Sequence, residues 1–394
     1  MRAMTAPALA TRPRRNFPAV PPRVYVYLAL YFASTWGVIL ALVAGALPGA
    51  VLWIAALATF TIAPLLLLLI RGGFGAAPGS AYRLWVLRPF WYVQLMLPFV
   101  ALAGALGAAI GTPFGGALIG GRVVAGTVAA LLAMFLLAGY IGSRRLVVRN
   151  VTAEIAGLPA GLDGTRIVQL SDLHIGPHLP AARFERIVST VQSLEPDLIA
   201  ITGDLVDDHA EDTDRYADAV GMLDAPLGVY VIAGNHDVYA GWNNVARRLR
   251  ERVGSHVLVN QSRTVTRGGA MLAVAGTGDP AAGNDAANGG VDIAATLAQV
   301  PAGVPVLALA HNPALWPALA GRGVALTLSG HTHGGQVRIP GRPVLVRMSR
   351  YRLDEGRFEH DGAHIVVSRG LGVSGIPLRV ACAPEALLVT LRLK

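Results

Sequence analysis

The first 150 residues contain no aspartate, glutamate, lysine or histidine. Twelve arginines are their only charges, +12 in all, while residues 151–394 carry 21 lysines plus arginines against 24 aspartates plus glutamates. Together the two parts give the chain's +9, so its basic character belongs to the first part alone. That distribution is a membrane signature, and the balanced second part argues against a nucleic-acid partner. Cysteine is nearly absent as well. Cys382 stands alone, which excludes a disulfide framework or a thiolate metal site within one chain. Neither a Walker loop nor an acyl-hydrolase elbow occurs, and no internal repeat stands out.

What the first part has is apolar length. Four segments, Val24–Leu47, Ala50–Ile70, Phe90–Ile110 and Val123–Ile141, are of spanning length, since roughly 20 residues at about 1.5 Å each cross a hydrocarbon core of about 30 Å. They are apolar all round, unlike helices of a soluble bundle, which keep a polar face. Trp36, Trp53, Trp85, Trp91 and Tyr92 lie in or beside them, and those toward the ends would suit an interfacial belt. Arg2, Arg12, Arg14, Arg15 and Arg23 precede the first segment, Arg71, Arg83 and Arg88 separate the second and third, and Arg144, Arg145 and Arg149 follow the fourth. The opposite side offers Arg122 alone, so a multi-pass protein of the inner cell membrane with its C-terminal domain in the cytoplasm is expected. Arg14-Arg15 resembles a twin-arginine export signal only loosely, and three further apolar segments argue against cleavage. No charged residue or histidine lies inside the segments, so they read as an anchor rather than a transport path. The Gly- and Ala-rich run Ala101–Ile110 would let helices approach closely.

The second part alternates elements. Strands are expected at Arg166–Leu170, Leu198–Thr202 and Val229–Ala233, with helices at Ala181–Leu194, Asp212–Leu223 and Trp242–Arg252. Shorter strands follow at His256–Val259, Arg263–Thr266, Met271–Ala275, Val306–Ala310, Val324–Leu328, Ile365–Ser368 and Leu387–Leu393. A βαβ opening with a strand-rich second half predicts a mixed α/β sandwich. Asp279–Gly290, rich in Gly, Ala and Asn, reads as a mobile loop and candidate lid. The chain thus divides into a basic tail (1–23), a four-helix transmembrane region (24–143), a linker with the first strand (144–164) and a metal-site domain (165–394).

Five short motifs fall in order along that second part: Asp172-Leu173-His174, Gly203-Asp204-Leu205-Val206-Asp207, Gly234-Asn235-His236-Asp237, His311-Asn312 and Gly330-His331-Thr332-His333. Each follows an apolar run that reads as a strand, which places its side chains at strand ends, where α/β sheets present their chemistry. Oxygen and imidazole donors suit manganese, iron or zinc. Asp172 and His174, two apart on an extended chain, face the same side and can share one ion. Asp204 is the natural bridge between two ions about 3.5 to 4 Å apart, with Asn235, His311 and one of His331 and His333 completing the second ion. His236, an imidazole beside a metal ligand with the Asp237 carboxylate next to it, suits acid catalysis near neutral pH. Gly334 and Gly335 would let backbone approach a phosphate, Gln336 would donate to it, and Arg369 is a candidate phosphate clamp or else a structural ion pair. Asp207 reads as orienting a ligand or capping the next helix. His178, His209, His256, His360 and His364 match no ligand motif.

The pattern from Asp172 to His333 resembles that of the calcineurin-like metallophosphoesterases. The run Ser329–Gln336 and the later Ser368-Arg369-Gly370-Leu371-Gly372 are similar to the bacterial branch that includes the UDP-2,3-diacylglucosamine hydrolases. The resemblance implies a four-layer fold, two mixed sheets flanked by helices, and two divalent ions, manganese first with iron or zinc as alternatives. It implies Asp172, His174, Asp204 and His333 on one ion, and Asp204, Asn235, His311 and His331 on the other. His236 then contacts the phosphoryl oxygens and protonates the leaving group, with Asp237 orienting it. The implied activity is hydrolysis of a phosphodiester, pyrophosphate or phosphomonoester by a hydroxide formed between the ions, whose water falls in pKa from about 16 toward 7. The membrane part adds a lipid-linked substrate to the expectation. The competing expectation is a metal-dependent sensor or scaffold without turnover.

Overall fold

The computed structural model describes residues 22–44, 49, 51–59, 62, 80–207, 209–252, 256–339, 342–344 and 352–394. The chain divides into two compact units, Met1–Leu131 and Leu132–Lys394.

In the first unit, helix α1 (Pro22–Val43) is followed by α2 (Arg88–Gly111), which a π-helical turn at Arg83–Leu87 precedes, and by α3 (Ala117–Gly142), which runs on into the second unit. Three stretches among the described residues are long and apolar enough to cross a membrane: Val26–Val43, Arg83–Phe114 and Ala117–Gly142. Of the expected Ala50–Ile70 span, residues 51–59 and 62 are helical and the rest lies outside the described residues, as does nearly all of the basic tail. Gly107 and Gly120 bring α2 and α3 together, since a Cβ on Gly107 would stand 2.5 Å from the Gly120 carbonyl oxygen. Arg122 donates through Nε to the Leu42 carbonyl at 2.6 Å and through Nη2 to that of Ala44 at 3.1 Å, placing a cation on the negative end of the α1 dipole.

The second unit is built on two six-stranded mixed sheets. One has the order β1-β14-β2-β3-β4-β5, from Val147–Ile155 (β1), Glu385–Leu393 (β14), Arg166–Leu170 (β2), Leu198–Ile201 (β3), Val229–Val231 (β4) and His256–Val257 (β5). β2 to β5 run parallel, β14 is antiparallel to β2, and β1 is parallel to β14. The other has the order β12-β13-β9-β8-β7-β6, from Gly356–His360, Ala363–Val367, Leu326–Ser329, Val306–Leu309, Ala270–Gly276 and Gln261–Arg267. Arg338–Ile339 and Arg342–Pro343 form a small separate hairpin, β10 and β11.

Burial sorts the apolar side chains into layers. Ile167, Leu198, Ala200, Val274, Leu307, Leu328 and Val389 meet between the sheets. The alternate residues Val168, Leu170, Ile199 and Ile201 face the other way, against Phe184 and Ile187 of α4 (Ala181–Gln192), Tyr216 and Val220 of α5 (Asp212–Gly221), and Val245 and Leu249 of a helix at Trp242–Arg252. On the far face of the second sheet, Ala273, Ala275 and Ala308 pack with Leu319, in a short helix at Trp316–Ala320. Helix, sheet, sheet and helix give the layered α/β architecture expected, each inner strand buried on both faces.

The expected lid segment is hydrogen-bonded at both ends. Asp279–Gly290 folds as two 3-10 turns, Pro280–Ala282 and Ala286–Asn288. The Asn260 side chain accepts from Gly278 and Asp292 amides and donates to the Gly290 carbonyl, and the Trp242 amide donates to Asn288.

Candidate metal centre

All seven expected ligands lie just beyond the C-terminal ends of five parallel strands, three in one sheet and two in the other. Asp172 and His174 follow β2, Asp204 follows β3, and Asn235 follows β4 at the start of a short helix, Asn235–Ala240 (α6). His311 follows β8, and His331 and His333 follow β9. Five of these seven, Asp172, His174, Asp204, His331 and His333, have φ between 44° and 73°. Left-handed backbone is costly for residues with a Cβ and is retained where surroundings over-determine it, as at binding sites. Gly234 and Gly330 make room for this crowding: a Cβ on Gly234 would lie 2.2 Å from Asp204 Oδ1, and one on Gly330 would lie 2.3 Å from Asp172 Oδ2.

The donors converge in two groups. His174 Nε2 and His333 Nε2 face each other at 3.1 Å, with Asp172 Oδ1 at 3.4 Å from His333 Nε2 and Asp204 Oδ2 at 3.6 Å from His174 Nε2. One ligand atom from each of these four residues falls within 4.8 Å of the others, and all four residues are buried. In the second group His311 Nε2 lies 3.3 Å from Asp204 Oδ2 and 3.2 Å from Asn235 Oδ1, which also lies 2.8 Å from His331 Nδ1. Asp204 Oδ2 belongs to both groups. Asp204 Oδ1 turns away to accept the His236 amide at 2.8 Å, and Asp172 accepts the His331 amide at 3.0 Å.

Two tautomers are set from behind. The His311 Nδ1–H donates to the Thr202 carbonyl at 2.8 Å, and His174 Nδ1 faces Asp207 Oδ1 at 3.3 Å, leaving Nε2 of each ring toward the cluster. The electrostatics are strained without a cation between the groups. Burial alone would depress the His174 imidazole, yet Asp207 and Asp204 raise it to about 9. His311 is raised well above its ordinary value by Asp204 against the same burial. His331 is lowered to about 4 by burial and by His311, and His333 is lowered by burial, His174 and Arg379. Two imidazole nitrogens pointing at each other across 3.1 Å cannot both be protonated, and a dication between them satisfies both. The donor set therefore fits a pair of divalent ions.

His236 sits beside the first group, its ring centroid 4.6 Å from that of His174 and its side chain 21% exposed. Its orientation differs from the sequence expectation. The Asp237 carboxylate is fully buried and accepts the amides of Leu205, Val206 and Gly234, so it ties two motif loops together. Residues adjacent on a helix point about 100° apart, and Asp237, in the first turn of α6, points back at the helix start. His236 Nδ1 is held by the Asp207 carbonyl at 2.7 Å instead, and Nε2 lies 3.4 Å from Ser374 Oγ.

Of the two readings of Arg369 the structure shows the ion pair, and Gln336 and Gly334 also have partners within the protein. Arg369 is bound through Nε and Nη2 to Glu355, with Glu385 also near, so its fork is occupied by a carboxylate rather than held for phosphate. Gln336 exchanges hydrogen bonds with the Ser374 backbone, 2.8 Å from Nε2 to the carbonyl and 3.3 Å from the amide to Oε1. The Gly334 amide turns to Thr332 Oγ1 at 3.4 Å and its carbonyl accepts from Arg338. These residues hold the loop after β9.

Sequence reading missed Arg379. It is buried, donates to the Gly372 carbonyl through Nε and Nη2, and brings Nη2 to 3.3 Å from His333 Nδ1. No local pattern marked it, because its partners lie 7 and 46 residues away. Its backbone amide donates to the Gly139 carbonyl of α3 at 3.0 Å, and a Cβ on Gly142 would stand 2.4 Å from the Arg379 carbonyl.

The sequence profile of the calcineurin-like phosphoesterases matches residues 165–335. A metallophosphoesterase of Bacillus subtilis is 31% identical over 261 residues, covering 65% of this chain and 88% of the relative. One from Aquifex aeolicus is 32% identical over 248 residues, covering 63% of this chain and 92% of that protein. A Danio rerio transmembrane protein with a metallophosphoesterase domain is 32% identical over 278 residues, covering 67% of this chain and 61% of its own length.

Proposed function

Since the chain belongs to the calcineurin-like phosphoesterase family, we propose that it is a membrane-anchored, two-metal phosphoesterase acting on a phosphodiester or pyrophosphate at the bilayer surface. The observation that carries this reading is Asp204 Oδ2, shared by two groups of donors, all buried except the half-buried His331, with His236 at their rim. Asp172, His174, Asp204 and His333 would hold one ion, and Asp204, Asn235, His311 and His331 the other. Manganese suits this oxygen and imidazole set, as do iron and zinc. When bound, such a pair supplies a nucleophile from water and neutralises charge on the phosphoryl oxygens.

The chain's own residues supply the remaining steps. The His236 Nδ1–H stays on the Asp207 carbonyl, which fixes the ring and leaves Nε2 to deliver a proton to the leaving alkoxide. Asp237 and the loop after β9 hold the motif loops in register, so that little reorganisation accompanies the reaction. Three apolar helices support membrane anchoring, and the arginine bias supports a cytoplasmic domain. The motif runs of the UDP-2,3-diacylglucosamine hydrolase type, together with the apolar helices, support a lipid-linked substrate.

The full chain loaded with manganese should hydrolyse bis(4-nitrophenyl) phosphate, and Asp204→Asn should lose most bound metal and activity together. A metal-loaded wild-type protein inert on every phosphoester offered would favour a sensor or scaffold. A variant keeping two metals per chain would overturn the ligand assignment.

A further inference from the structure

We propose that the C-terminal unit carries a second anion site, away from the metal ligands, which binds the phosphate of an anionic phospholipid headgroup. The site is a cavity of about 370 Å³ between the segment that leaves α3 and the outer face of α4. Arg144, Arg183 and Arg186 line it with His178, and Leu146 and Ile187 supply an apolar wall. Among the described residues no carboxylate lies within ion-pair distance of any of the three arginines. Positive charge surrounds Arg183: burial, Arg144, Arg379 and Arg186 together depress its guanidinium to about 10. Like charges gathered without counter-charge are unfavourable unless an anion completes the group. Two of the arginines are already oriented. Arg183 donates through Nη2 to the Ser143 carbonyl at 2.6 Å, and Arg144 lies over the Tyr140 ring, 4.4 Å from its centroid, bonded to the hydroxyl. Guanidinium forks held this way match phosphate oxygens.

Position selects lipid over free phosphate. Arg144 comes two residues after the end of the apolar helix Ala117–Gly142, where a spanning helix leaves the hydrocarbon and meets headgroups. The Leu146 and Ile187 wall gives a glycerol backbone and acyl stem an apolar surface that inorganic phosphate has no use for. The inference rests on the membrane anchoring proposed above but not on turnover.

Binding is measured on the full chain in detergent micelles by native mass spectrometry, with phosphatidylglycerol, phosphatidylcholine and inorganic phosphate as separate probes. One retained phosphatidylglycerol per chain is expected, with no such retention of phosphatidylcholine. Arg186→Gln should weaken it about tenfold, what one charge-assisted hydrogen bond contributes, and Arg144→Gln should act alike. Arg250→Gln, which removes an exposed charge elsewhere, should change nothing. Turnover of a soluble diester should be unaffected in Arg186→Gln, showing that the fold and metal centre are intact. Equal losses with Arg250→Gln would reduce the effect to net charge and overturn the site. Full displacement of the lipid by millimolar inorganic phosphate would overturn the lipid assignment, and so would retention insensitive to both cavity variants.

Discussion

His236 is the residue whose role can be separated most cleanly from the metals. Its side chain contacts the Asp207 carbonyl and approaches Ser374, so its removal takes no donor from either group. His236→Gln should keep both metals and lose on the order of 100-fold or more in rate, as general acid catalysis of about 10² to 10⁴ requires. The loss should shrink with nitrophenol, which leaves without a proton; equal loss on nitrophenol and alkyl leaving groups would count against the acid role. The imidazoles also fix how metal binding responds to pH. His174 is raised to about 9, so in the metal-free protein it carries a proton at neutral pH that a cation must displace, and His311 is raised in the same direction by Asp204. Metal affinity should therefore rise with pH, about tenfold per unit for each proton released, and level off above about 9. Calorimetric titration in buffers of different ionisation heat reads the protons directly, and a count of zero between pH 6 and 8 would show the assignment to be wrong. At this scale the candidate ligands were legible because each follows a strand within four residues. Asp237 and Gln336 were not, because the Leu205 amide and the Ser374 backbone stand 32 and 38 residues away, while the ion pair read for Arg369 came without its partner, Glu355.

At the scale of elements, the inner strands declared themselves through predominantly apolar runs, and β2 and the helix Trp242–Arg252 begin and end where the sequence predicts. Of the edge strands, β5 and β6 were expected and β1 was expected without bounds, but β12 was not. β12 reads Gly-Arg-Phe-Glu-His and has no buried residue, and in β1 only Ala153 and Ile155 are buried. Edge strands are kept polar against aberrant pairing, which removes the signal that marks a strand. The last turns of α3 hold an element-scale consequence too. Gly139 and Gly142 let that helix lie against Leu378 and Arg379, and the Arg379 side chain continues to His333. Gly142→Leu should push Arg379 back, loosen His333 and weaken metal binding by about tenfold or more, the effect of losing a group that orients a ligand. Gly126→Ala, on the same helix with nothing within 4 Å, serves as the control. Unchanged metal titration in a folded Gly142→Leu protein would show that α3 and the metal centre are independent.

For the whole molecule, the same packing decides where the chain can be divided. Sequence alone suggests a cut near residue 151, but β1 pairs with β14 in register from Val147↔Glu385 to Ile155↔Leu393, so that cut would halve an edge strand and discard Gly139 and Gly142. The compact unit instead begins at Leu132 and keeps the end of α3. A chain of residues 132–394, held in mild detergent to cover the apolar face of that helix, should fold, bind two metals and hydrolyse a small soluble diester at a rate close to the full chain's. A chain of residues 151–394 should be less stable and bind metal more weakly. Both should lose activity on a lipid-embedded substrate, because the proposed anchor would raise local concentration at the bilayer and its removal would return the encounter to three dimensions. That loss should appear as a raised KM on mixed micelles with kcat little changed, and it should deepen as substrate is diluted at fixed detergent. If the 132–394 chain is folded and metal-loaded but inert on every small phosphoester, residues before Leu132 help to build the site and the anchor reading fails.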